Sequence, residues 1–245
     1  MKKQVIACTA LGLLALSIPG GYVFAEEDDH TLSATTNQAD VTLKAGSGND
    51  VTPIVPNDTH DDDPSTGDTG ALSIPFASNI TFGQQEIKQG DADYFALNQR
   101  PHVQVNDTRG GAKGWTLGVS ISPFIGENGH ELTGAQLSLA NGKVVTKDNQ
   151  STPPTLADTP KQTFVLNNDY QNVMLAKEGE GAGAFAAVFE GTDGSNENVK
   201  LHVPRAGVEA QSYTAEINLG VDRCSSIKQE DGDMSFPSFL VACFC

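Results

Sequence analysis

The chain has 245 residues, with 31 Asp and Glu against 15 Lys and Arg and a net charge of −16. Such a surface repels phosphate polymers, which excludes nucleic acid and anionic lipid as charge-driven partners. None of the four cysteines lies in residues 26–223, so the body of the chain relies on its apolar core rather than on disulfides.

The N-terminus reads as a secretory signal peptide, residues 1–25. Lys2 and Lys3 form a positive start, residues 5–18 are apolar, and Pro19-Gly20-Gly21 ends the run before Val23-Phe24-Ala25. The apolar run is shorter than the roughly 20 residues a membrane span needs, so cleavage after Ala25 and no membrane insertion thereafter are expected. Loss of Lys2 and Lys3 makes the mature chain still more acidic.

Residues 26–70 read as a disordered acidic linker. Asp, Thr, Gly, Ser and Asn dominate, no aromatic residue occurs, and Asp61-Asp62-Asp63 precedes Pro64. A segment of this composition buries too little apolar surface to offset its ordering entropy. The acidic run is not a calcium loop, because Thr66 stands where such a loop needs glycine and no Glu closes it.

From Ala71 the pattern is that of short strands between Gly, Asn, Asp and Pro clusters, and an all-β antiparallel sandwich or barrel-like domain is expected over residues 71–221. Leu72, Ile74 and Phe76 alternate, with Pro75 marking an edge. Ile80 with Phe82, then residues 94–97 and 102–105, are further candidates, and Gly110-Gly111 marks a turn. Residues 114–122 form the clearest strand. Trp115, Leu117, Val119 and Ile121 share one face, and Thr116, Gly118, Ser120 and Ser122 the other. Leu137 and Leu139 follow, with Asn141-Gly142 as a hairpin turn before Val144 and Val145. Residues 163–166, 173–175, 185–189, 199–203 and 213–221 complete the set.

No catalytic or metal-binding constellation stands out, and no cofactor is expected. The chain lacks a Gly-x-Ser-x-Gly elbow and a His-Glu-x-x-His pair, and its five histidines are scattered. Two readings fit Trp115, the lone tryptophan: a core residue on a half-buried strand, or a platform that stacks on a sugar ring or a peptide face. Two fit Asp107 and Arg109 as well: a surface salt bridge or turn-locking pair, or a hydrogen-bonding site for amide or carboxylate groups.

Several segments resemble the WxL domain of Gram-positive surface proteins. They are Ile80-Thr81-Phe82-Gly83, Val105-Asn106-Asp107-Thr108-Arg109-Gly110 leading to Gly114-Trp115-Thr116-Leu117, Leu132-Thr133-Gly134-Ala135-Gln136-Leu137, and Tyr213-Thr214-Ala215-Glu216-Ile217. The resemblance implies a non-enzymatic protein held at the cell surface by non-covalent attachment to peptidoglycan. Its wall-binding residues would be Trp115, Leu117, Asp107 and Arg109. It also implies a membrane-anchored WxL-interacting surface protein as a partner. A protein–protein or host-matrix adhesion module is the alternative. One departure is clear. Where the family repeats Trp-x-Leu in its last strand, this chain has Leu219-Gly220-Val221, a degenerate second motif. Residues 222–245 form an atypical tail carrying Cys224, Cys243 and Cys245, read either as the product of a reading-frame slip or as a variant tail that pairs through its cysteines.

Overall fold

In the computed structural model the described residues are 39–49, 51–58, 60–61 and 64–223. The signal peptide, part of the linker and the tail from residue 224 lie outside them. Residues 42–223 belong to one compact unit. No helix among the described residues is long and apolar enough to cross a membrane.

Alternation along the chain produces fourteen short strands among the described residues. They are β1 (Leu72–Ala77), β2 (Ala92–Ala96), β3 (His102–Asp107), β4 (Trp115–Ile121), β5 (Ile125–Gly126), β6 (Gln136–Ala140) and β7 (Lys143–Val145). Then follow β8 (Thr155–Leu156), β9 (Thr163–Val165), β10 (Gln171–Ala176), β11 (Gly183–Val188), β12 (Asn196–Val203), β13 (Tyr213–Thr214) and β14 (Ile217–Arg223). Three four-stranded antiparallel sheets result, in the orders β1-β3-β11-β7, β14-β4-β10-β8 and β2-β12-β6-β9, with β13-β5 as a small ribbon. The sheets do not close into a barrel. One continuous core takes Val103 and Val105 from the first sheet, Trp115 to Ile121 and Val173 from the second, and Leu137, Leu139 and Val199 from the third. β1 stands at a sheet edge, where Pro75 costs no ladder hydrogen bond.

Three local expectations change. Asn141, at φ 52°, and Gly142 bend the chain but close no hairpin, and β6 and β7 do not pair. β6 joins β12 and β9, whereas β7 joins β11 in another sheet. The bend carries the chain from one sheet to the other, so that Leu139 lies opposite Val199 and Phe164 while Val144 lies opposite Ala187. Ile80 and Phe82 form no strand, although both pack against the core. The run 213–221 breaks at Ala215-Glu216 into β13 and β14.

The larger difference concerns the stretch read as disordered. Within it, residues 51–58, 60–61 and 64–68 pack as a strap over the outer face and edge of the β1-β3-β11-β7 sheet. Val55 is buried with Ala186 and Val188. Gln104, fully buried on β3, donates from Nε2 to the Thr52 carbonyl at 3.1 Å and accepts from the Ile54 N–H at 3.0 Å. Asp58 accepts from the Arg100 N–H, and Asp61 from the Asn79 N–H at 3.0 Å. Thr66 and Ala77 exchange backbone hydrogen bonds with Pro75 and Pro64, which covers the β1 edge. Polar composition conceals this docking because the pairing groups are backbone amides and buried carboxylates, not an apolar stripe.

Candidate functional site

β4 opens on Trp115, and its surroundings explain the glycines and charges before it. Gly114 has φ +72° and lies so close to β10 that a Cβ there would stand 2.7 Å from the Ala176 carbonyl oxygen. Only glycine accepts both demands. The loop ahead of it is locked by a bidentate ion pair. Arg109 Nε donates to Asp107 Oδ1 at 2.9 Å and Nη2 to Oδ2 at 2.8 Å. The same Nη2 donates to the Gly114 carbonyl at 2.7 Å, and the Arg109 N–H to Asp107 Oδ1 at 3.0 Å. The Asp107 and Arg109 side chains are 2% and 8% exposed, so this is an interior pair. Of the two readings, the turn lock is the one whose geometry is present. With Nε and Nη2 engaged inside the loop and little of the side chain exposed, Arg109 presents little surface to a wall carboxylate.

Trp115 itself is 0% exposed, as is Leu117. The indole Nε1 donates to the Gly181 carbonyl at 2.9 Å, and a Cβ on Gly181 would stand 2.7 Å from that nitrogen. The slot is closed from below by Ala176, the register partner of Trp115 on β10. A ring with no exposed surface has no face turned outward, so of the two readings the core position is the one whose geometry is present. Sequence alone did not flag Gly181 or Ala176, because nothing in their local pattern marks them as the walls of an indole slot.

Leu219 and Val221 occupy β14, immediately beside β4, in register with Val119 and Leu117. Directly opposed residues of an antiparallel pair share a face, so the degenerate second motif joins Trp115 and Leu117 on one surface of one sheet. Both are half-buried and pack against the same core. Fold topology therefore brings the first motif and the position of the second together.

The other end of β4, about 20 Å from Trp115 at the usual rise of a strand, reaches an open groove of about 900 Å³. Ile121, Leu137, Leu201 and Val203 form its apolar floor, and Phe82, Tyr94, Phe124 and Tyr213 stand around it. Tyr94 is fixed by its hydroxyl, which donates to the Glu86 carbonyl at 3.0 Å. Tyr213 meets His130 edge to face, centroids 6.3 Å apart. No pattern in the sequence announces this groove, since its aromatics come from four separated segments.

Among the described residues no three His, Cys, Asp or Glu side chains are grouped as metal ligands. A family model described as a WxL domain, surface cell wall-binding, matches residues 30–220. No curated protein and no solved structure gives a significant match.

Proposed function

The chain belongs to the WxL family of surface, cell wall-binding domains, and from that premise we propose that the wall component it holds is peptidoglycan, engaged without a covalent link. The observation that carries this reading is the family match itself, which covers residues 30–220 and so takes in β1 to β13 and the first part of β14. The protein acts at the cell surface. Its strong negative charge works against attraction to anionic wall polymers, which favours a ligand recognised by shape and neutral hydrogen bonds. In this reading Trp115, Leu117, Asp107 and Arg109 serve attachment from inside. They hold the sheet and its leading loop in shape, because their side chains are buried. Leu219 and Val221 continue the same surface at the position of the second motif.

The test is sedimentation with purified Gram-positive walls stripped of protein and teichoic acid. Retention on stripped peptidoglycan is the expected result. Retention only on walls that keep their proteins would instead mark an adhesion module, and retention on neither would overturn wall attachment.

A further inference from the structure

We propose that the groove at the Ile121 end of β4 is a binding site for an uncharged, N-acetylated glycan strand. This deepens the peptidoglycan reading above and rests on it.

The argument starts from charge. The chain holds 31 Asp and Glu, yet among the described residues the only charged side chain lining this groove is Glu209. No Lys or Arg among the described residues lines it, so a phosphate polymer finds no counter-charge there, and one carboxylate is a weak basis for a cationic peptide. What remains is neutral. Phe82, Tyr94, Phe124 and Tyr213 offer ring faces and edges, while Gln84 and Thr214 supply amide and hydroxyl groups at the rim.

A pyranose ring suits that mixture. Its C–H face lies on an aromatic ring, its hydroxyls pair with Gln and Thr, and an acetamido group matches a side-chain amide. A purely aliphatic ligand would leave those polar groups desolvated and unpaired. The volume of about 900 Å³ lies within the range of pockets that hold small ligands, about 300–1,000 Å³. The aromatics are also held in place before any ligand arrives. Tyr94 is tied to Glu86, and the Tyr213 hydroxyl accepts from Gln211 Nε2 at 3.3 Å, which reduces the ordering a ligand would otherwise have to impose.

The experiment titrates the chain from Glu26 onward with the β-1,4-linked tetramer of N-acetylglucosamine by calorimetry. Cellotetraose and a free stem tripeptide serve as comparison ligands. The N-acetylated tetramer is expected to bind, and cellotetraose at least tenfold more weakly. Tyr213→Ala removes one aromatic wall, and Thr214→Arg fills the rim from an exposed position on β13. Each is expected to lower affinity at least tenfold while circular dichroism and the unfolding midpoint of Thr214→Arg stay those of the parent. No tetramer binding with stripped-wall retention intact would overturn the groove but leave the peptidoglycan reading standing. Tetramer binding unchanged in both variants, or binding of the tripeptide in its place, would overturn the groove too. Loss of wall retention in the unaltered protein would instead overturn the reading on which the proposal rests.

Discussion

The indole nitrogen of Trp115 and the carbonyl oxygen of Gly181 are hydrogen-bonded at 2.9 Å although 66 positions separate them in the chain. The bond joins the start of β4 to the loop between β10 and β11, and it closes over a ring that no solvent reaches. The residue that gives the family its name therefore acts here as a structural tie.

That tie predicts a separation of stability from binding. Trp115→Ala is expected to cost about 3–5 kcal/mol, the usual effect of emptying a large aromatic site. Trp115→Phe keeps most of the volume but leaves the Gly181 carbonyl without its donor, at a cost of about 1–3 kcal/mol. Urea unfolding followed by circular dichroism measures both. If Trp115→Phe remains folded, its retention on stripped walls should equal that of the parent; selective loss of retention would mean that the indole contacts ligand after all.

A second expectation concerns the clamp at Asp107. Replacing Arg109 by Met strands a buried carboxylate and should cost about 3–5 kcal/mol. The double change Asp107→Leu with Arg109→Met removes both charges and is expected to cost clearly less than the sum of the single changes. Arg109→Lys cannot supply the fork that reaches both carboxylate oxygens and the Gly114 carbonyl, so it should fall between parent and Met. Equilibrium unfolding of the four proteins completes the cycle.

The strap over β3 gives a third. Val55→Asp removes apolar burial of about 1.5–3 kcal/mol and places a carboxylate beside Ala186 and Val188. Release of residues 51–61 is expected, read as new protease cleavage within that segment by mass spectrometry, with the sheets still folded. A cleavage pattern identical to the parent would show that the strap is held by its hydrogen bonds alone.

The fourth is a pH dependence. His102 lies buried beneath the strap, and desolvation is the main cause holding its pKa below the ordinary 6.5; the bond to the Arg100 carbonyl and the charges of Asp61 and Asp58 oppose it without prevailing. The unfolded chain then takes up the proton at higher pH than the folded one. Stability is complete above the ordinary value and falls as acid is added below it. The urea midpoint should therefore drop between about pH 7 and pH 5. His102→Asn, which has no ring to protonate, should flatten that window.

Much of the architecture was legible in the chain. The period of two through Trp115, Leu117, Val119 and Ile121 specified a half-buried strand, and those four side chains are buried. Pro75 marked an edge. The spacing of Asp107 and Arg109 was enough to suggest a locked turn, because residues two apart on an extended segment share a face. These are local consequences of backbone geometry and side-chain polarity, and they need no partner to be read.

What the tertiary structure alone decided is who meets whom. Strand pairing is set by burial across long separations, so Asn141-Gly142 separates two sheets instead of closing a hairpin, and Leu219 comes beside Val119. The strap has no apolar period to announce it, yet Gln104, Arg100 and Asn79 supply hydrogen-bonding partners that only the folded sheet presents together. The groove likewise exists only once Phe82, Tyr94, Phe124 and Tyr213 have been brought to one mouth. A sequence fixes the face each residue turns toward its own strand; the space between faces belongs to the assembled sheets.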